Sequence, residues 1–336
     1  MPGPDREFRG TAGSPRRGRW WPGNLEGRRG SPVARLLPFP EGMTAPRQVL
    51  PGTIHLVTRR CTQRQFLLRP SKAVRQVFLY LLAVASERYA IRVHAYCVMS
   101  NHYHLVVTDP DARLPAFQQY LDGFVARAIN ALVGHREGFW GPDSYSAVEL
   151  VGPQDVVDKV AYTLANPVAA GLVRSAWRWP GLWSSPDEIG GAALLVRRPS
   201  HFFDPKGSMP ESALLKLTTP PGFPTAEAFR DQLRATLAEK EAEAARKFSS
   251  FLGAARVLAQ KTTARARSVE PLGRLNPRVA ARHEEQRIAA LGRLVAFISD
   301  YRTALRAWRD GNRSAVFPAG TYLMRLACGV ACTGAG

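Results

Sequence analysis

Residues 91–108, IRVHAYCVMSNHYHLVVT, contain two runs of strand-forming residues on either side of a Ser-Asn pair at 100–101. β-branched and aromatic residues favour extended backbone, and a Ser-Asn pair favours a tight turn. The stretch therefore predicts a hairpin of two antiparallel strands, at 91–99 and 102–108.

Strand and helix patterns continue on both sides of this hairpin. Ser71 is a suitable N-cap for the helix before it, and the Gly-Pro pair at 152–153 favours a helix start, because proline suits the first helical position. The patterned segments are 52–58 and 146–151 for strands, and 71–89 and 112–133 for helices. The order strand, helix, hairpin, helix, strand predicts an α+β fold, a ferredoxin-like sandwich with an antiparallel sheet.

Composition divides the chain into four parts, at 1–42, 43–186, 187–224 and 225–336. The first is rich in Arg, Gly and Pro without periodicity, which predicts a disordered basic segment, and Met43 just after it is a candidate for the true translation start. The second contains the predicted α+β domain. The third is predicted to be a loop-rich linker. The fourth is predicted to be mainly helical and basic, with Thr225 as an N-cap and a further helix at about 277–311.

The charge of the chain points to a polyanionic partner. Lys and Arg number 46 against 27 Asp and Glu, which gives a net charge of +19. Basic side chains that neutralise phosphates release counterions and gain affinity for any nucleic acid. Only seven of the 46 are Lys. A GC-rich genome explains the preference for Arg but not the shortage of acids, so nucleic acid is the predicted partner.

Two classes of protein are disfavoured by the sequence. No apolar run approaches the roughly 20 residues that cross a bilayer, and the N-terminus lacks the apolar segment of a secretory signal, so we expect a cytoplasmic protein without a membrane partner. The cysteines do not form a zinc-ligand pattern, which predicts reduced thiols rather than a structural zinc site. They are Cys61, Cys97, Cys328 and Cys332.

The second strand of the hairpin carries two histidines, His102 and His104. Side chains alternate between the two faces of a strand, so both imidazoles lie on one face, close enough to hold one ion between them. Tyr103 and Leu105 then face the other side. Such a pair is more often incidental than a metal site, so further ligands must converge on it.

The segment PQDVVDKVAYTLAN at 153–166 supplies candidates for those groups. Valine, alanine and leucine side chains form an apolar stripe on one side of the predicted helix, and Lys159, Tyr162 and Asn166 lie on the other with Asp155 and Asp158. Asn166 is one turn after Tyr162, so its amide can lie beside the phenol. Pro167 disfavours helical backbone at the preceding residue and is predicted to fix the end of the helix.

Four motifs together resemble a known family, the REP-associated tyrosine transposases, a branch of the single-tyrosine HUH transposases. They are YCVMSNHYHLVV at 96–107, EGFW at 137–140, AYTLANPVAAGLV at 161–173 and WRWPGLWSS at 177–185. The resemblance covers roughly 49–185. Gly141 stands where the family pattern predicts a polar residue, and the long C-terminal region has no counterpart in short family members.

The resemblance implies roles for individual residues. His102 and His104 would bind a divalent ion, Mg²⁺ or Mn²⁺, with Asn166 as a third ligand, and Tyr162 would attack single-stranded or hairpin DNA to form a 5′-phosphotyrosine. The implied activity is that of a metal-dependent DNA endonuclease and strand transferase of DNA transposition. Independently of the resemblance, Lys159 lies one turn before Tyr162 and is a candidate for phosphate or phenolate support, although a solvated surface charge is the simpler interpretation.

Other interpretations remain open at the level of sequence. A non-catalytic nucleic-acid-binding regulator derived from a transposase would keep the fold and the charge, and a metal-dependent phosphoesterase would use water as its nucleophile. The helices after Thr225 either bind DNA or cover apolar surface of the first domain. The sequence does not distinguish a monomer from a dimer.

Overall fold

A computed structural model of the chain describes residues 46–142, 145–200, 202–266 and 277–334. The predicted disordered segment at 1–42 and the candidate start Met43 lie outside these residues. The first part of the chain contains β1 (Thr53–Arg60), α1 (Lys72–Tyr89), β2 (Arg92–Val98), β3 (His102–Asp109), α2 (Leu114–Val133), β4 (Ser146–Leu150) and α3 (Pro153–Ala169).

Among the described residues, the second part of the chain has three short strands, and beyond residue 225 it is mainly helical. Its elements are β5 (Leu194–Arg197), β6 (Ser212–Leu215), α4 (Ala226–Lys247), α5 (Ala254–Ala259), β7 (Val279–Ala280), α6 (Glu284–Arg309) and α7 (Leu323–Cys328).

The sheet has the order β2-β3-β1-β4-β7. Its first four strands pair antiparallel throughout, in the arrangement expected of a ferredoxin-like β-α-β-β-α-β unit. The predicted α+β fold class is confirmed. The short β7 adds a parallel edge beside β4, which the sequence did not indicate.

The two faces of the sheet carry different layers. Tyr103 on β3 points toward α1 and α2: its ring lies 5.2 Å from that of Phe78, and its hydroxyl donates to Asp122 at 2.6 Å. The neighbouring His104 points the other way, against α3. The face assignment that alternation predicted for β3 is therefore confirmed.

Helix ends follow the predicted caps in most cases. Ser71 accepts a hydrogen bond from the backbone of Val74, and Thr225 caps α4 in the same way. The start of α3 at Pro153 is also as predicted. Asp155 in its first turn is buried, and its carboxylate accepts hydrogen bonds from the backbone N–H groups of Gly152 and Arg282, which compensate for the lost water.

The predicted end of α3 is wrong. The helix runs through Pro167 to Ala169. A proline near the end of a helix removes a single hydrogen bond, and the backbone carbonyls of Asn166 and Pro167 accept from Ala170 and Leu172 to close the last turn. Asn166 therefore keeps helical geometry and its position one turn after Tyr162.

The segment after residue 186 is packed onto the first part of the chain. Residues 187–224, which the sequence indicated as a loop-rich linker, include the β5–β6 hairpin, which packs on α1. The helix α4 packs along α3 and buries Phe229, Leu233 and Leu237 in the main hydrophobic core. None of the helices in the described residues is both long and apolar enough to span a bilayer.

Candidate metal and nucleophile site

The two histidines of β3 form one cluster on the face that α3 covers. Their ring centroids are 4.9 Å apart, with the ring planes nearly perpendicular. His104 is buried and His102 is half-buried at the end of the strand. The pairing of β1 with β3 places Thr58 opposite His104 and Arg60 opposite His102, so these side chains lie on the same face.

Hydrogen bonds fix the orientation of both imidazoles. Nδ1 of His102 lies 2.7 Å from Oδ1 of Asn101, and Nδ1 of His104 lies 2.8 Å from the hydroxyl of Thr58. An amide oxygen only accepts, so Nδ1 of His102 carries the proton and donates it. On both rings Nε2 is left as the nitrogen that can bind a metal.

The helix α3 brings two further groups to this cluster. The ring of Tyr162 lies 5.6 Å from that of His104, edge to face. The side-chain amide of Asn166 contacts Nε2 of His104 at 3.1 Å and also bonds the ring of His102. Four of the predicted site residues are therefore together, on two elements that are distant in sequence.

The electrostatics of the cluster favour neutral imidazoles. Burial, then the charge of Arg60, lowers the pKa of His104 to about 3. Burial likewise holds the pKa of His102 well below its usual value, and the neighbouring His104 and Arg60 act in the same direction. Neutral imidazole is the form that binds a metal ion.

The distances in the cluster are compatible with a small divalent ion. Two adjacent ligands that each lie about 2.1 Å from an octahedral ion are about 3 Å apart. The amide of Asn166 is 3.1 Å from Nε2 of His104, and turning the amide over presents Oδ1 at the same place. Among the described residues no three His, Cys, Asp or Glu side chains form a group that could hold a metal ion. The amide oxygen of Asn166 is the candidate for a third ligand beside the two imidazoles.

Lys159 lies next to the phenol rather than in bulk solvent. Its Nζ is 5.7 Å from the centre of the Tyr162 ring. The side chain is half-buried, and burial, followed by the charge of Lys240 on α4, lowers its pKa. The surface-charge interpretation of Lys159 did not anticipate this environment.

Two tryptophans tie the hairpin to α3. The indole N–H of Trp179 donates to the carbonyl of Val98 at the end of β2, and that of Trp183 donates to the carbonyl of Leu164 on α3. Gly181 between them is required by space, because a Cβ there would lie 2.3 Å from the Trp179 indole nitrogen. The motif at 177–185 therefore helps to hold the hairpin of β2 and β3 in place against α3.

Comparison with known families agrees with this geometry. Residues 49–156 match the model of the IS200-like transposase family. This part of the chain is therefore similar to an IS200-like transposase domain. The resemblance that the motifs indicated is confirmed at that level. The matched residues include His102 and His104, and end at residue 156, before Tyr162.

Two solved structures are similar to parts of the chain. One is a REP-associated tyrosine transposase bound to a REP hairpin, at 18% identity over 41% of this chain and 81% of that chain, with a TM-score of 0.35. The other is a protein of Deinococcus radiodurans R1 described as a candidate transposase, at 20% identity over 32% and 85%, with a TM-score of 0.25. No curated protein matches the chain.

Sequence reasoning missed the groups that support the site. Asn101 precedes His102 directly and carried a usable signal, since metal-binding histidines commonly donate their second N–H to a nearby oxygen. Thr58 and Arg60 become visible only once the register of β1 against β3 is known. Lys240 reaches Lys159 through the packing of α4 on α3, for which the sequence has no local signal.

Proposed function

We propose that this chain is a metal-dependent enzyme that nicks and joins single-stranded, hairpin-associated DNA through a 5′-phosphotyrosine on Tyr162. The observation that carries the proposal is that three groups converge on His104. The amide of Asn166 lies 3.1 Å from its Nε2, and the rings of His102 and Tyr162 lie 4.9 Å and 5.6 Å from its ring. The match to IS200-like transposases supports a DNA-processing activity.

Tyr162 is the proposed nucleophile. Its phenolic oxygen attacks the scissile phosphorus and forms a new P–O bond, while the bond from phosphorus to the 3′ oxygen breaks. The phenolic proton goes to solvent, and the departing strand end takes up a proton as a 3′ hydroxyl. That hydroxyl can attack the phosphotyrosine in the reverse step, so joining needs no external energy source.

The site residues would hold Mg²⁺ or Mn²⁺ through Nε2 of His102, Nε2 of His104 and the amide oxygen of Asn166. When bound, such an ion acts as a Lewis acid on the phosphodiester. Thr58 and Asn101 keep the imidazoles oriented with Nε2 toward the ion.

Positive charge around the site supports an anionic substrate. Arg60 stands opposite His102 on the same face of the sheet, and Lys159 lies 5.7 Å from the centre of the Tyr162 ring. Both are placed to attract phosphate oxygens near the phenol. The net charge of +19 supplies affinity for DNA in general.

The direct test uses an end-labelled single-stranded DNA that contains a hairpin. Incubation with Mn²⁺ should produce a covalent protein–DNA adduct on a denaturing gel, and a chelator should prevent it. Binding without any adduct or cleavage would instead support the non-catalytic regulator. Cleavage that releases free ends without an adduct would support a phosphoesterase in which water attacks.

A further inference from the structure

A charged cleft of about 810 Å³ lies on the outer side of α3, next to the proposed nucleophile. Its walls come from α3, from α4 and from the chain between β7 and the first turn of α6. Lys159 on α3 and Lys240 on α4 both line it. Because Lys159 also lies 5.7 Å from the ring of Tyr162, the cleft and the candidate site share one wall.

The two lysines are an unusual pair. Their charges are close enough that Lys240 lowers the pKa of Lys159, after the larger effect of burial. Neither lysine takes part in an ion pair within the described part of the chain. Like charges held close together cost stability, so this arrangement is not explained as a structural contact.

Two of the four acidic side chains that line the cleft already have hydrogen-bond or ion-pair partners. Asp155 accepts two backbone hydrogen bonds, and Glu243 pairs with Lys247 at 2.7 Å. Arg287 in turn pairs with Glu284 at 3.5 Å. Apart from Glu243 and Arg287, which have charged partners outside the cleft, the lining holds four basic and three acidic groups, namely Lys159, Lys240, Arg246 and Arg282 against Asp155, Asp158 and Glu239. The cleft therefore keeps an excess of positive charge for an external anion.

We propose that this cleft binds a backbone phosphate of the DNA strand, next to the phosphate that Tyr162 attacks, and that Lys240 is a positioning residue for the strand. That the bound polymer is DNA rests on the proposed function. The C-terminal part of the chain would then contribute to the active site through α4, and the family resemblance assigns no such role to it. A compact ammonium on a flexible stem suits a phosphate oxygen as a point charge.

The test compares Lys240→Ala with Lys216→Ala, a control at an exposed lysine that lies outside the cleft. Binding to a single-stranded thymidine oligonucleotide is measured as a function of salt. Lys240→Ala should lower the slope of log affinity against log salt by about 0.7, the value for one lost phosphate contact on single-stranded DNA, and Lys240→Arg should restore it. Thermal unfolding of Lys240→Ala should be unchanged or shifted upward, because a repulsion is removed.

Cleavage gives a second readout. Lys240→Ala should raise the DNA concentration for half-maximal cleavage and leave the maximal rate nearly unchanged. The binding assay does not need cleavage. If the wild type bound DNA without cleaving it and Lys240→Ala still lowered the salt slope, the proposed function would be refuted and the phosphate cleft would stand. Equal slopes for Lys240→Ala and Lys216→Ala would refute the cleft.

Inorganic phosphate distinguishes a DNA backbone site from a site for free phosphate. At the ionic strength of a chloride control, phosphate should compete with the oligonucleotide no better than chloride does. Strong competition that disappears in Lys240→Ala would show that the cleft is a small-anion site and would overturn the assignment to DNA.

Discussion

The imidazoles of His102 and His104 are oriented before any ligand arrives. Asn101 and Thr58 each face one Nδ1, and the amide of Asn166 contacts the Nε2 side. A site that is already arranged in this way loses little entropy on binding an ion, which is why neighbouring oxygens matter as much as the ligands themselves.

We predict that His102→Ala and His104→Ala each abolish metal-dependent cleavage and leave most of the DNA affinity, because affinity comes from many Arg–phosphate contacts. The matched control is His94→Asn, since His94 is a buried histidine of β2 that bonds Thr108 and Thr218 and lies outside the cluster. This control should lose stability but keep cleavage. Wild-type cleavage rates in His104→Ala would show that the metal site is misplaced.

Asn166 offers a graded test of the third ligand. Asn166→Ala should raise the Mn²⁺ concentration for half-maximal cleavage at least about tenfold, because an oxygen ligand is lost. Asn166→Asp keeps an oxygen at the same place and adds a charge, so metal affinity should be retained or increased. The metal titration measures both variants, and equal curves for Asn166→Ala and the wild type would remove Asn166 from the ligand set.

At the scale of elements, much of the fold could be predicted because its signals are local. The hairpin of β2 and β3 follows from strand propensity around a turn, and the starts of α1 and α4 follow from Ser71 and Thr225 as N-caps. The end of α3 could not be predicted from Pro167, because the cost of one lost hydrogen bond is small against the burial of Val168 in a second cluster.

The strands also determine the response to pH. Four histidines, two of them buried and two half-buried, lie on β1, β2 and β3. Desolvation lowers the pKa of each: to about 4 for His55 and His94, to about 3 for His104, and well below the usual value for His102. Below a pH of about 6.5 the unfolded chain binds protons that the folded chain does not. Stability is therefore complete above that pH and is lost as the pH falls toward 4.

Urea unfolding across this pH range checks the prediction. Two buried carboxyls oppose the trend, because burial raises the pKa of Asp109 and raises that of Asp122 to about 6, which favours the folded state at lower pH. The histidines outnumber them, so the midpoint should fall on acidification. His94→Asn should reduce that fall, and a midpoint that rises as the pH is lowered would contradict the assignment of neutral buried imidazoles.

At the scale of the whole molecule, the C-terminal part of the chain is integral to the fold. Phe229, Leu233 and Leu237 of α4 lie in the core that contains the sheet, and Tyr80 of α1 donates to the carbonyl of Pro210. Sequence patterns left covering of apolar surface and DNA binding as equal alternatives for this region. The packing of α4 supports the covering of apolar surface. The basic cleft at Lys240 is the basis for proposing DNA binding as well.

Truncation after Ser185 should therefore give an insoluble product rather than a smaller DNA-binding domain, because it uncovers apolar surface of α1 and α3. A milder variant, Phe229→Ala, should lower the free energy of unfolding by about 3–5 kcal/mol, as for a fully buried aromatic ring. Leu326→Ala, at a position that is 63% exposed, is the control and should change it by less than about 0.5 kcal/mol. A soluble, folded truncation product would contradict this account.

The short strands β5, β6 and β7 could not be predicted from the sequence, because their residues show no clear strand pattern. The strand β7 has two residues and exists because β4 offers a free edge, and β5 and β6 are joined by a long segment rich in Pro and Gly that reads as a linker. Both depend on tertiary packing rather than on local propensity. The candidate site could be predicted from the sequence because its residue types are those that bind metals or attack phosphorus. The role of Lys240 could not, since nothing in the sequence around it marks α4 as a neighbour of α3.

The most direct test of the central claim is peptide mapping of the covalent adduct formed with hairpin DNA and Mn²⁺, in the wild type and in Tyr162→Phe. We predict that the wild-type DNA label lies on Tyr162 alone. Tyr162→Phe should fold with a stability change of about 1 kcal/mol or less and bind DNA normally, yet form no adduct, because a benzene ring has no atom that can attack phosphorus. A label on Tyr96, Tyr103, Tyr120 or Tyr145, or an adduct that persists in Tyr162→Phe, would contradict the assignment of the nucleophile.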